Sequence, residues 1–291
     1  MIRPSIQTVA AIHDISGYGK VSLTVAIPVL SSMGFQVCPL PTAVLSTNTE
    51  YGDFSFLNLT DNMEEMIKHW KRLNLRFDAI YSGFLGSHRQ VEIVQDFINH
   101  FKQEQQLVVV DPVLGDDGHL YNSMSPAMID SMKELIKSAD VITPNLTEAA
   151  LLLESDYREH VTESRLKDVM KALSEKGPEI VIISNVNKSL KKKHTYVYAY
   201  NAANETFWKI TCDYLPGNYP GTGDTFASVV TGCLLQGDSL PIALDRAVQF
   251  ISTSLRALYG TGRDPLAGIA VEKNLANLTA PFRPSTFEMI E

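Results

Sequence analysis

Short aliphatic runs alternate with amphipathic segments along this chain, and this alternation restricts the possible folds more than any other feature. Leu107–Val110 is a run of four aliphatic residues, and residues 180–183 form a second, as is typical of strands covered on both faces. Residues 126–137 and 162–175 carry apolar side chains at helical spacing. The alternation predicts an α/β fold: one domain over residues 1–291, with a mostly parallel central sheet and helices on both faces.

Further strands are predicted on either side of this centre. Residues 7–12 are predicted to form the first strand, and residues 36–40 and 42–45 the second and third. Residues 195–200 and 205–211 alternate between apolar and polar around a four-residue connection, which predicts a small β-hairpin.

Composition and charge restrict the class of function. An apolar content of 45% and a charged content of 20% are ordinary for a globular domain. The net charge of −8 argues against a nucleic-acid partner, because such proteins normally present a basic face.

The cysteines and the N-terminus indicate the compartment. Cys38, Cys212 and Cys233 are odd in number and widely spaced, so they suggest free thiols in a reducing environment, not a disulfide framework or a metal site. The sequence shows neither a signal peptide nor an apolar run of membrane-spanning length. We therefore expect a cytoplasmic protein with no membrane partner.

Polar and acidic loops follow the predicted strands. The carboxyl ends of parallel strands share one edge of a sheet, so one crevice is expected to collect Asp14, Thr49, Asp111, Asp116, Asn145, Glu148 and Asp224. Acids outnumber bases in this set, which suits a site where Mg²⁺ neutralises phosphate charge. No GxGxxG motif follows a strand, and GxxxxGK[ST], HExxH and GxSxG are absent. Thr147 is predicted to cap the helix that follows the strand at residues 141–143, and Glu148 is predicted to lie in the first turn of that helix.

Residues 220–228 (Pro-Gly-Thr-Gly-Asp-Thr-Phe-Ala-Ser) are interpreted as a loop that leads into a helix. Unpaired N–H groups and the helix dipole at such a junction favour an anion, and Gly221 and Gly223 leave room for a phosphate. A carboxylate repels phosphate, so Asp224 needs another task, such as accepting a proton from an attacking hydroxyl. The alternative is that Asp224 only caps the helix.

Taken together and in order, these motifs resemble the ribokinase-like superfamily. The resemblance rests on Gly-Thr-Gly-Asp at residues 221–224, Asp-Pro-Val-Leu-Gly-Asp at 111–116 and Thr-Pro-Asn-Leu-Thr-Glu at 143–148. Residues 11–14, 46–52 and 82–87 are similar to the pyridoxal kinase branch. The similarity runs from about residue 9 to residue 258. It implies a three-layer ribokinase-like fold and ATP-dependent phosphorylation of the 5′-hydroxymethyl group of vitamin B6 vitamers.

The resemblance also implies roles for individual residues. It makes Asp224 the catalytic base and forms the anion hole from Gly221, Thr222 and Gly223. It assigns ATP binding to Asp111, Thr143, Asn145, Glu148 and Ser184, and the metal site to Asp111, Asp116 and Glu148. It assigns the vitamer to Asp14, Ser16, Thr49, Phe84 and Asp224. The implied cofactors are ATP and Mg²⁺, with a monovalent cation as a further candidate, and the implied assembly is a homodimer.

Three positions depart from the family pattern and leave the substrate open. Asp14 stands where many pyridoxal kinases have serine, Phe84 where tyrosine is frequent, and Ser184 where some members have lysine. A carboxylate at position 14 would favour a protonated ring nitrogen or an amine. The alternatives are a hydroxymethylpyrimidine kinase of thiamine synthesis and a relative that only binds nucleotide or vitamin.

Two further features bear on the surroundings of the site. A sugar kinase of the same superfamily would have a large β-lid after the first strand, and only residues 13–33 separate strands one and two here. The basic run at residues 188–193 is interpreted as a solvated loop, with a flap over the ATP phosphates as the alternative.

Overall fold

The computed structural model describes residues 6–158, 160–186, 194–258, 260–281, 284 and 287–290. The strands are β1 (Thr8–Tyr18), β2 (Gln36–Thr47), β3 (Phe56–Asn58), β4 (Ala79–Ser82), β5 (Leu107–Val110), β6 (Gly115–Asp116), β7 (His119–Leu120), β8 (Val141–Ile142), β9 (Ile180–Val186), β10 (His194–Asn201), β11 (Thr206–Asp213) and β12 (Phe287–Met289). The helices are α1 (Leu23–Ser32), α2 (Thr60–Arg72), α3 (His88–Phe101), α4 (Pro126–Ile136), α5 (Leu146–Leu152), α6 (Glu163–Ser174), α7 (Thr222–Gln236) and α8 (Leu240–Arg256).

One large sheet organises the molecule. Its strand order is β12-β11-β10-β9-β8-β5-β4-β1-β2-β3, and every pair from β2 to β9 is parallel. Antiparallel strands extend the sheet at both edges, while β6 and β7 form a separate two-stranded ribbon. The predicted α/β fold with a mostly parallel central sheet is therefore confirmed.

Helices cover both faces of the sheet, which gives the three predicted layers. One core packs α2 to α6 against the sheet and includes Val108 and Val110, whereas the other packs α1, α7 and α8 and includes Val109. Successive strand residues point to opposite faces, so an uninterrupted aliphatic run supplies both cores. Within the described residues, no helix is long and apolar enough to cross a membrane.

The first two strands are longer than predicted, because they pair with each other beyond the expected loops. β1 continues to Tyr18 through the predicted loop after residue 12, and β2 joins the two predicted short strands into one. Pro39 and Pro41 interrupt the sequence pattern of β2 but not the strand. Because they are two residues apart, the N–H groups that they lack would lie on the same edge of β2. On the outer edge of β2, β3 pairs only with Ala43–Leu45, so prolines at 39 and 41 remove no hydrogen bond there.

The hairpin prediction is confirmed, although β10 and β11 extend the main sheet and do not stand apart from it. β9 runs on through Ser184, which was predicted to lie in a loop, and the pairing of β9 with β10 is irregular there. Only α1 lies between β1 and β2, so the structure has no large β-lid at that point. The possible flap at residues 188–193 lies outside the described residues.

Candidate active site

The start of α7 is shaped by two glycines with different tasks. Gly221, the N-cap residue, has a φ of 82°, and a Cβ there would lie 2.0 Å from the Lys20 carbonyl oxygen. A Cβ on Gly223 would meet no atom within 4 Å, so Gly223 faces open space. The first helical donor is Thr225, whose N–H donates to the Gly221 carbonyl at 2.9 Å. The N–H groups before it lie at the open helix end, where an anion is favoured.

Asp224 lies in the first turn of α7 and is not its N-cap, so the capping alternative is wrong. Burial, followed by the charge of Asp14, raises the pKa of the Asp224 carboxyl to about 6, while a hydrogen bond from the Ser22 backbone N–H opposes the shift. A carboxylate with this pKa is largely ionised at neutral pH yet more basic than an ordinary aspartate. It is suited to accept a proton.

Asp14 lies across from Asp224 on β1 and is 4% exposed. The Ser16 hydroxyl donates to Asp14 Oδ2 at 3.2 Å, and the Ser22 hydroxyl donates to Asp14 Oδ1. Burial raises the pKa of Asp14, whereas the two hydroxyl donors lower it by stabilising the charged form. The predicted substrate residues Asp14 and Ser16 are thus held together beside the predicted base.

Asp111 follows β5 directly and is 8% exposed. Burial, and then the charge of Asp224, raise the pKa of Asp111 to about 7. Thr143, at the end of the neighbouring β8, donates its hydroxyl to Asp111 Oδ1 at 2.9 Å. Thr143 therefore positions the Asp111 carboxylate, a role that the sequence does not indicate.

Asn145 and Glu148 form a capping box at the start of α5. The Asn145 Oδ1 atom accepts from the Glu148 N–H at 2.9 Å, and Glu148 Oε2 accepts from the Asn145 N–H at 2.8 Å. Glu148 Oε1 also accepts from the Leu114 N–H, which ties the loop after β5 to α5. The prediction that Thr147 caps this helix is wrong, because the Thr147 hydroxyl accepts instead from the Gly118 N–H at 2.9 Å.

Of the three predicted metal ligands, the structure brings Asp111 and Glu148 close together but leaves Asp116 exposed. Burial, and then the charge of Asp111, raise the pKa of Glu148 well above its usual range. Asp116 is exposed on β6, where its carboxylate accepts from the Asp117 N–H at 2.9 Å. In the parts of the chain that are described, no group of three His, Cys, Asp or Glu side chains is arranged to hold a metal ion.

A divalent cation nevertheless fits the edge where these acids lie. The charge of Asp111 raises the cost of ionising the buried Glu148 carboxyl, and the charge of Asp224 raises that of Asp111. Mg²⁺ prefers oxygen ligands and is commonly bound by one or two carboxylates together with substrate phosphates and water. Asp111 is the side chain best placed to hold it, because both Glu148 oxygens already accept from backbone N–H groups.

The other predicted site residues lie at the same edge of the sheet. Thr49 is exposed at the start of a short 3-10 helix after β2, and Phe84 is half-buried in the loop after β4. Ser184 donates its backbone N–H to the Pro144 carbonyl at 3.2 Å, which places it beside Asn145. Direct contacts of these three residues with a ligand stay predictions.

Two further residues, which the sequence does not indicate, contact predicted site residues. Tyr81 is fully buried at the centre of β4, and its hydroxyl donates to the Asp224 carbonyl at 3.4 Å. Burial, and then the charges of Asp111 and Asp224, raise the pKa of Tyr81. Ser22 contacts both Asp14 and Asp224. Nothing in the local sequence around either residue distinguishes it from a residue of the core.

Comparison with known proteins is consistent with this geometry. The phosphomethylpyrimidine kinase family matches residues 27–267. A Bacteroides thetaiotaomicron protein described as a phosphomethylpyrimidine kinase, in a crystal form with pyridoxal, is 55% identical, with a TM-score of 0.96 over 98% of this chain and 100% of that one. The pyridoxal kinase of Lactobacillus plantarum is 33% identical, with a TM-score of 0.86 over 94% of this chain and 97% of that one.

Relatives compared by sequence agree. The pyridoxal kinase of Burkholderia orbicola is 26% identical over 270 residues, which cover 89% of this chain and 91% of that protein. Proteins of this kind are phosphotransferases with a hydroxyl group as acceptor, and the match extends over most of the chain. The chain therefore belongs to the phosphomethylpyrimidine kinase family, in the pyridoxal kinase branch of the ribokinase-like superfamily.

Proposed function

We propose that this protein uses ATP to phosphorylate the 5′-hydroxymethyl group of vitamin B6 vitamers, a step of pyridoxal 5′-phosphate salvage. The observation that carries the proposal is the position of Asp224. It combines a pKa raised to about 6 with a place in the first turn of α7, beside a helix end open to an anion. The 55% identical Bacteroides protein crystallised with pyridoxal supports the choice of acceptor.

The chemistry follows from what these residues can do. Asp224 accepts the proton of the vitamer hydroxyl as that oxygen attacks the γ-phosphorus of ATP in line. The bond from this phosphorus to the β,γ-bridging oxygen breaks and ADP leaves, without a covalent enzyme intermediate. The backbone N–H groups of Thr222 and Gly223 and the dipole of α7 stabilise the negative charge on the transferred group. Bound Mg²⁺ would neutralise phosphate charge, with Asp111 as its main protein ligand.

The nucleotide is proposed to bind along the ends of β5, β8 and β9. Asp111 and Thr143 directly follow β5 and β8, Asn145 and Glu148 lie at the start of α5, and Ser184 lies within β9 beside Pro144. Ligands of open α/β sheets bind at this edge. In this proposal Thr143 and Glu148 act mainly by holding Asp111 and the loop after β5 in place.

The vitamer is proposed to lie between Asp14 and Asp224. Two hydroxyl donors stabilise the Asp14 carboxylate in its charged form, so Asp14 is suited to pair with a protonated ring nitrogen or amine. Thr49 and Phe84 would complete the pocket, with Phe84 stacking against the pyridine ring. Pyridoxamine is the vitamer that gains most from such charge pairing.

Phosphorylation of hydroxymethylpyrimidine is the second candidate function. It is favoured by the name of the matching family and by a thiamine biosynthetic bifunctional enzyme of Arabidopsis thaliana. That enzyme is 28% identical over 253 residues, which cover 87% of this chain and 46% of that protein. The same base and anion site would serve either ring, so the acceptor pocket decides between the two.

ADP release from Mg-ATP separates the candidates when pyridoxal, pyridoxamine, pyridoxine and hydroxymethylpyrimidine are supplied separately. The proposal predicts higher kcat/KM with a B6 vitamer than with the pyrimidine. Preference for the pyrimidine would assign the protein to thiamine synthesis with the same catalytic residues. Turnover of none of them would favour a relative that only binds its ligands.

We further propose a homodimer, as in the expectation from the family. At the β2–β3 edge, Val44 and Leu57 are directly opposite each other, and they are 38% and 60% exposed. Cross-strand apolar pairs at a sheet edge are candidates for burial in an interface. Light scattering should give twice the chain mass for the wild type. Replacing Leu57 by a charged residue should lower the measured mass.

A cytoplasmic location is proposed from the thiols. Cys38, Cys212 and Cys233 are all free in the structure. Unpaired cysteines are usual in a reducing compartment. Cell fractionation with an antibody against the native chain would test this location.

A further inference from the structure

Ser22 has an unusual backbone conformation for a buried residue. Its φ is 51° and its ψ is −129°, in a region that residues with a Cβ rarely adopt. Among the described residues, five other non-glycine residues have a positive φ, and all of them are exposed. Ser22 is 5% exposed. Strain of this kind persists where the surroundings impose it, and it is concentrated at functional sites.

The hydroxyl of Ser22 does not do what a serine at this position usually does. Ser22 is the N-cap of α1, where a serine side chain normally accepts from the first helical N–H groups, yet no side-chain cap is formed. The hydroxyl donates instead to Asp14 Oδ1. The capping interaction is thus given up for a contact with the proposed vitamer-binding carboxylate.

The backbone of Ser22 serves the second carboxylate of the site. Its N–H faces the Asp224 carboxylate and lowers the pKa of that group. Its carbonyl accepts from the N–H groups of Val25 at 3.0 Å and Ala26 at 2.8 Å, which fixes the residue on α1. One rigidly held residue therefore contacts both Asp14 and Asp224.

Among the described residues, the groups that act on the Asp14 and Asp224 carboxylates include no cation, so hydrogen bonds are needed to hold these side chains. The groups that face Asp224 are the Asp14 carboxylate on β1, the Asp111 carboxylate after β5 and the Tyr81 hydroxyl on β4. The groups that donate to Asp14 are the hydroxyls of Ser16 and Ser22. Two like charges this close disfavour each other's ionised form, and hydrogen bonds to the charged form offset that cost.

We propose that Ser22 is a positioning residue that also determines vitamer specificity. Its positive-φ backbone directs the N–H to Asp224 and the hydroxyl to Asp14. The proposed base and the proposed vitamer-binding carboxylate are therefore held in a fixed position relative to each other. The inference rests on the proposed function: Ser22 orients the Asp14 carboxylate, and that carboxylate selects a protonated amine. Loss of the hydroxyl frees one oxygen of Asp14 and weakens that selection.

The decisive variant is Ser22→Gly, because glycine adopts a positive φ without strain and keeps the N–H that faces Asp224. We expect the variant to fold and its kcat/KM for pyridoxamine to fall by about tenfold, as for the loss of one hydrogen bond to a charged group. The loss for pyridoxine should be smaller, so the ratio of the two kcat/KM values falls. Calorimetry without ATP should show the same loss in pyridoxamine affinity.

The controls separate positioning from stability. Glu205→Gly replaces another residue with a positive φ, of 55°, in the exposed turn between β10 and β11, and should leave both kinetic constants unchanged. Ser22→Ala removes the same hydroxyl but keeps the Cβ, and supplies the comparison if Ser22→Gly does not fold.

The outcomes distinguish this inference from the function on which it rests. A wild type that neither bound nor phosphorylated any vitamer would overturn the proposed function, and the inference with it. An active wild type with an unchanged ratio of pyridoxamine to pyridoxine in both Ser22 variants would overturn only the role of Ser22. A lower ratio in both variants, with the Glu205→Gly ratio unchanged, would support it.

Discussion

Replacing Asp111 by asparagine should stabilise the protein at alkaline pH. Asp111 is 8% exposed, and burial, followed by the charge of Asp224, raises its pKa from 3.8 to about 7. The folded state therefore binds the proton more tightly than the unfolded state does. The stability linked to this group is fully present below pH 3.8 and is lost as the pH rises through about 7.

The magnitude follows from the shift. Three pKa units correspond to about 4 kcal/mol, which is an upper limit because Asp224 titrates in the same range. When the pH is lowered from 8 to 5, the wild type should regain about 3 kcal/mol of this unfolding free energy. An asparagine at position 111 keeps an oxygen that accepts from Thr143 but carries no charge. The variant should be more stable than the wild type at pH 8, and the difference should shrink at pH 5.

Urea unfolding of both proteins at pH 8 and pH 5 measures these differences directly. Asp96→Asn, on the exposed side of α3, is the matched control and should change the free energy of unfolding equally at both pH values. An Asp111→Asn variant that gained no stability at pH 8, or gained the same amount at both pH values, would refute the reasoning. The variant should also lose activity, because the charge that disfavours folding is the one that meets the cation.

Three further predictions concern the neighbouring elements. The acid limb of kcat/KM should have an apparent pKa near 6, set by Asp224, and Asp14→Asn should move it to lower pH by removing a negative neighbour; a limb that stayed in place would contradict this assignment. Gly221→Ala should reduce both turnover and Tm, because the new Cβ would meet the Lys20 carbonyl, whereas Gly237→Ala, in open space at the end of α7, should cost about 1 kcal/mol in unfolding free energy and leave turnover unchanged. Asn145→Ala should lower the free energy of unfolding by about 1 to 2 kcal/mol through loss of the α5 cap, as measured by urea unfolding, and an unchanged midpoint would count against the capping box.

Much of the fold could be predicted because its signals are local. Leu107–Val110 had to be a strand covered on both faces, and the structure divides its side chains between the two cores. The length of β1 could not be predicted in this way. Its second half is polar and contains glycine, as a loop does, and only the pairing with β2 keeps it extended to Tyr18.

The site was predictable where function depends on residue type at fixed spacing. Asp224 after two glycines and Glu148 three residues after Asn145 are both sequence signals, although the second forms a capping box as well as part of the site. The sequence predicts Thr147 as the cap where the structure has Asn145, because Asn and Thr are both good caps and the sequence does not choose between them. Ser22 was missed because its role depends on a backbone angle and on two partners from other parts of the chain.

The most direct test of the central claim is the turnover of Asp224→Asn with pyridoxal and Mg-ATP, measured beside its affinity for ATP. Asparagine has nearly the same shape but cannot accept the proton, so the loss falls on the transition state. We predict a fall in kcat of about 10² to 10⁴-fold, with little change in ATP affinity. Near-normal turnover of this variant would contradict the assignment of Asp224 as the base.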